Sequence, residues 1–140
     1  MNNRIQQSVF AGIAGTAAMT MIIFIAPFMG MLKMSPPDLL AGMMGLPLVV
    51  GWVMHFMIGV IFAAAYVYIF NKLLQKVQNK FLKGAIFGFA VFVFAQIMMA
   101  MISAVFPAMP SPEGSMIMLM MGSIIGHMVF GIVVALIVKD

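Results

Sequence analysis

Four apolar stretches decide what this chain can become. They cover residues 8–31, 48–70, 81–106 and 115–138. Each is long enough for a helix to cross about 30 Å of hydrocarbon, which takes roughly 20 residues. Backbone groups in lipid must bond within their own structure, so stretches of this length are helices. A membrane β-barrel would show segments of about 10 residues with alternating polarity. The sequence therefore predicts an all-α integral membrane protein, a four-transmembrane-helix bundle forming a single membrane domain over residues 1–140. The chain is 65% hydrophobic and 7% charged, whereas about a quarter of a soluble domain is charged. The first stretch outruns the apolar core of a signal peptide, about 15 residues at most, and reads as a retained helix.

The connections set a topology. Between the second and third stretches lies NKLLQKVQNKFLK, with Lys72, Lys76, Lys80 and Lys83. The other two connections carry Lys33 with Asp38, and Glu113. Lysine-rich loops stay on the cytoplasmic side, which places both termini there too, in agreement with Arg4 and Lys139. The formal charge of +4 is thus a topology signal and not a nucleic-acid footprint. Each outer connection has a serine followed by proline and an acid: SPPD from Ser35 and SPE from Ser111. Such a segment starts a helix, because the hydroxyl caps, proline suits the first turn and the acid faces the positive end of the dipole. A short interfacial helix is expected after SPPD, stopping near Gly45 and Pro47. Pro27 and Pro107 should end or kink the first and third spans. Trp52, Tyr66 and Tyr68 read as interfacial anchors.

The chain also repeats part of itself. At an offset of 72 residues, Gly12 falls on Gly84, His55 on His127, Gly59 on Gly131, Ala63 on Ala135 and Gly51 on Ser123. Two hairpins, about 1–72 and 73–140, would then form a parallel repeat about an axis along the membrane normal. Gly51, His55, Gly59 and Ala63 recur every fourth residue and share one helix face, as do Ser123, His127, Gly131 and Ala135. Small residues admit another backbone or a flat ligand. Gly12, Thr16 and Thr20 on the first span, and Gly84, Gly88 and Gln96 on the third, complete four inward stripes. With a rise of about 1.5 Å per residue, Thr20, His55, Gln96 and His127 fall in one layer roughly 18–23 Å from the cytoplasmic ends.

An ionisable residue inside a membrane is a functional candidate, and three readings of this layer stay open. In the first, neutral histidines bond to Thr20, Gln96 or carbonyls and only fix which helices pair. In the second, His55 and His127 are axial ligands of a b-type haem, with Gly51, Gly59 and Gly131 admitting the porphyrin. In the third, the layer is a proton or metal path. His55 and His127 would be the main ligands, with Met116 and Met120 as weaker ones, since thioether suits Cu(I). Most of the 19 methionines serve as packing. No acidic residue lies inside a span, and no carboxylate pair, nucleophile elbow or phosphate loop is present. No catalytic residue is assigned and no enzyme is expected. Cysteine is absent, which excludes disulfides and thiolate metal sites.

AGIAGTAAMT opening the first span, GWVMHFMIG the second, KGAIFGF the third and HMVFG within the fourth together resemble a family of small uncharacterised bacterial four-transmembrane-helix proteins. That family is catalogued as a domain of unknown function, and the pattern covers nearly the whole chain. The resemblance implies the topology, a bacterial inner (cytoplasmic) membrane and the two histidines, but no activity. The expected function is that of a non-enzymatic membrane subunit or binding protein with a buried His55/His127 layer, most specifically a haem b site. A small transporter handling Cu(I) or protons, or a structural accessory subunit, is the alternative. Expected partners are the bilayer and either further copies of the chain or a larger membrane complex.

Overall fold

The computed structural model describes residues 3–105 and 115–139, and these are helical apart from short connections. Helix α1, Arg4–Ile25, starts where the Asn3 side chain accepts from the Ile5 N–H at 2.9 Å. That cap draws the polar turn Arg4–Gln7 into the helix, four residues ahead of the expected start. A 3₁₀ turn, Ala26–Met29, carries Pro27 and closes the span. Helix α2, Pro36–Met44, is the short helix expected after SPPD. The Ser35 hydroxyl makes no cap bond, contrary to expectation; Pro36 and Asp38 in the first turn carry the start instead. Gly45, at φ 63°, ends α2 with its N–H turned back to Ala41 and Gly42.

Helix α3, Leu48–Ala65, passes into a π-helical turn, Tyr66–Phe70, and a last turn to Leu73. Helix α4 is Lys80–Val105 and α5 is Met116–Ile137. Four segments are long and apolar enough to cross a bilayer: Arg4–Met29, Leu48–Leu73, Lys80–Ile102 and Met116–Ile137. Pro107 and the SPE segment with Ser111 and Glu113 lie outside the described residues.

Helix α1 packs against α3 and α5, α4 against α5, and α2 against α3. Lipid is as apolar as leucine, so helices associate through close backbone approach and packing. A Cβ on Gly12 would stand 2.5 Å from the Val60 Cα, and one on Gly84 would stand 2.5 Å from the Ile132 Cα. Both members of the second pair lie 72 residues after those of the first. The hairpins α1/α3 and α4/α5 thus meet through corresponding glycines.

Among the described residues the two hairpins then come into close backbone approach along one side only. On the α1/α5 seam, Gly15 receives Phe130 and Val134, while Gly126 receives Ile23 and Met19. Helices α3 and α4 have no such approach. Their side chains bridge a wider gap, with ring centroids 5.6 Å apart for Phe62–Phe94, 4.9 Å for Tyr66–Phe87 and 5.1 Å for Phe70–Phe87.

These rings make one end of the bundle solid. Tyr66, Phe87, Phe130, Val134 and Val138 are almost fully buried there. Tyr66 is therefore a core residue and not an interfacial anchor, whereas Tyr68 stays exposed, with the Arg4 guanidinium 5.9 Å over its ring. Lys83 is also not a solvated loop residue. It lies one turn into α4, is 5% exposed, and donates to Oδ1 of the Asn71 side chain at 3.2 Å. Outside, large apolar side chains such as Phe10, Met57, Ile61, Phe89 and Ile117 face away from the protein, as a lipid-facing surface requires.

Candidate ligand cavity

At the α2 end the bundle is hollow. A cavity of about 490 Å³ opens between all four long helices, a volume typical of small-ligand sites. Thr16, Met19 and Ile23 line it from α1, and His55, Ile58, Gly59 and Phe62 from α3. Val91, Ala95, Gln96 and Met99 face it from α4, and Met116, Leu119, Met120, Ser123, His127 and Phe130 from α5. The segment from Lys33 through α2, with Leu39 and Leu40, covers its end. His55, Gln96, Ser123 and His127 stand at this level among apolar side chains such as Met19, Ile23, Met99 and Leu119, whereas packed aromatic rings fill the other end.

The structure brings both histidines to this cavity but holds them differently. The Thr20 hydroxyl donates to the Thr16 carbonyl at 2.7 Å, the usual back-bond of a helical threonine. Its single proton is then committed, so its oxygen accepts from Nε2 of His55 at 3.0 Å. The neutral His55 ring carries its proton on Nε2 and its lone pair on Nδ1. This bond ties α3 to α1. Trp52 and Phe56 flank the same ring, with centroids 6.5 and 6.0 Å away.

His127 bonds within its own helix. Its Nδ1 lies 2.7 Å from the Ser123 carbonyl oxygen and 3.4 Å from the Ser123 hydroxyl. A carbonyl only accepts, so the proton of the neutral ring is on Nδ1 and the lone pair is on Nε2. Phe92, 72 residues after Thr20, sits edge-on to this ring at 6.0 Å. A phenyl edge offers no hydroxyl, so His127 turns to its own backbone. Each ring keeps one lone pair with no partner among the described residues.

The other expected residues divide. Thr20 partners His55. Gln96 lines the cavity but makes no hydrogen bond among the described residues, so the expected interhelical amide bond is not formed; the α3/α4 gap puts no group within its reach. Of the glycines assigned to a porphyrin, Gly51 lies under the Pro37 carbonyl and Gly131 against the Gly84 carbonyl and Gly88. Gly59 borders the cavity but faces the Thr16 hydroxyl. Their space is taken by neighbouring chain and is not open to a flat ligand. Met116 and Met120 line the cavity while remaining exposed outside.

Sequence reasoning passed over Thr16 and Phe92 as site residues. The Thr16 hydroxyl is buried with no hydrogen-bond partner among the described residues, and Phe92 packs on the His127 ring. The 72-residue offset that aligned the histidines also aligns Phe92 with Thr20, which was the available signal.

Four helices of spanning length, an apolar exterior and a ligand-sized cavity between the helices define a helical membrane bundle with a candidate internal site. The chain matches the model of a family of unknown function, DUF6789, over residues 2–139, and it belongs to that family. No curated protein and no solved structure matches it.

Proposed function

We propose that the protein is a non-enzymatic membrane binding protein and that it binds its ligand in the cavity between the four long helices. One observation carries this reading: two histidines from different hairpins reach a single ligand-sized space, each with one ring nitrogen left over. Intramembrane ionisable groups are expensive and mark function. Among the described residues no carboxylate lines the space, so no carboxylate general acid or base stands in it. The same proposal takes the two hairpins as copies of one unit, on the correspondence of the Gly12–Val60 and Gly84–Ile132 approaches. It places the lysine-rich end in the cytoplasm, on the lysine asymmetry of the connections.

The hydrogen bonds bear on which ligand fits. A haem held by both rings would have to take Nδ1 of His55, beside its own Cβ, while Nε2 stays with Thr20. The arrangement suits one open ring, His127, better than a facing pair. A second reading has its own support. Met99, Met116 and Met120 share the cavity with His127, and thioether with imidazole is a donor set for Cu(I).

Native mass spectrometry of the purified protein tests the proposal. The wild type is expected to carry a small molecule or ion beyond lipid, lost in a folded His127→Ala variant. A dithionite-reduced optical spectrum and metal analysis identify haem or copper. A wild type carrying only lipid, indistinguishable from His127→Ala, would overturn the reading.

A further inference from the structure

The α1/α5 and α3/α4 seams carry corresponding positions of the chain. Gly15 and Gly126 close the first; 72 residues away, Phe87 and Met54 stand at those positions on the second. Phe87 is fully buried against Tyr66, Phe70 and Phe130. Its ring occupies the space that an absent side chain leaves at Gly15, so α4 cannot come as close to α3. The ring contacts of this seam reach no farther toward the α2 end than Phe62 and Phe94. Beyond them Ile58 of α3 and Ala95, Gln96 and Met99 of α4 line the cavity itself. Among the described residues the cavity thus reaches the one side of the bundle that is not sealed by backbone approach, and that side faces the acyl chains of a bilayer.

We propose that this seam is a lateral portal and that the cavity receives a lipid-soluble quinol from the membrane. The inference rests on the binding role proposed above and names its ligand class. The polar groups inside decide the class. Nδ1 of His55 and Nε2 of His127 are acceptors and call for O–H donors. Among the described residues Lys33 is the only cation in the lining and stands at the α2 cover, so an anionic lipid finds no paired charge farther in. A quinol brings two hydroxyl donors on a flat ring, with an apolar body for the phenylalanine and aliphatic walls. Its oxidised form, a quinone, only accepts and leaves the imidazole lone pairs unanswered.

The test uses the full chain in nanodiscs of synthetic lipid, with decylubiquinol and decylubiquinone as probes and empty nanodiscs as the partition control. Retention of decylubiquinol should saturate at about one per chain, with the quinone held about a hundredfold more weakly, the loss of two hydrogen bonds at about tenfold each. His127→Ala should weaken quinol retention about tenfold. Ala95→Phe, which puts a ring in the portal, should abolish it, while Val93→Phe on the lipid face should leave it unchanged. Circular dichroism confirms that each variant is folded. Retention that never exceeds that of empty nanodiscs would overturn the inference, as would saturable retention indifferent to both His127→Ala and Ala95→Phe. If mass spectrometry finds copper or haem lost with His127 while quinol retention fails, the quinol falls and the binding role stands. If nothing is bound by either measure, both fall.

Discussion

The seam between α1 and α5 and the seam between α3 and α4 are built from corresponding positions in opposite ways. One closes because Gly15 and Gly126 have no side chains to hold the helices apart; the other stays apart because Phe87 does. The histidine corners differ in the same manner. His55 meets Thr20 across helices, whereas His127 meets Phe92 and bonds to its own Ser123. The two hairpins line the cavity differently because they differ at a few facing positions. The contrast leaves one solid end, one hollow end and one open side.

Removing the ring that holds the open seam should have the largest effect. Phe87→Ala is expected to cost about 4 kcal/mol, since the buried ring cannot be replaced by collapse of three aromatic neighbours. Reversible unfolding in mixed micelles measures it, and a loss below about 1 kcal/mol would mean that Phe87 does not hold the seam. The reciprocal change, Gly15→Phe, puts a ring on the closed seam, where a Cβ alone would come within 2.9 Å of Phe130. Overpacking of this kind should cost about 2–3 kcal/mol. If the variant matches the wild type, the α1/α5 seam is not closed by the missing side chain.

Smaller changes separate the two corners. His55→Ala breaks a bond between α1 and α3 and should cost about 1 kcal/mol. His127→Ala breaks a bond inside one helix and should cost less than half of that. Equal losses would erase the distinction between a ring that holds helices and a ring that is free to bind. Smallest of all, Gln96→Leu should change stability by no more than about 0.5 kcal/mol, because Gln96 has no bond to lose among the described residues. A larger loss would show that the open seam is held by an amide.

Much of the fold was legible in the sequence, because bilayer thickness and backbone satisfaction leave few choices for stretches of this length. The inward stripes were legible too: Gly51, His55, Gly59 and Ala63 are all buried. What each small residue admits was not. Gly51 admits α2, Gly59 admits Thr16 and Gly131 admits α4, and spacing along one helix cannot name the neighbour across from it. Placing Thr20, His55, Gln96 and His127 at one depth pointed to the level of the cavity, which His55, Gln96 and His127 line. It could not tell that Gln96 faces a gap, because the width of that gap is set by Phe87, more than two turns away. Tyr66 and Lys83 looked like surface residues by their position near span ends. They are buried because the aromatic plug and the Asn71 contact lie at that end of the bundle.

The central claim is that one histidine is held across helices while the other is held within its own, leaving opposite ring nitrogens free. Nitrogen-15 NMR of histidine-labelled protein in nanodiscs, assigned with His55→Ala and His127→Ala, reads this directly. The account predicts opposite neutral tautomers, with the proton on Nε2 in His55 and on Nδ1 in His127. Two rings sharing one tautomer, or both averaging between the two, would contradict it.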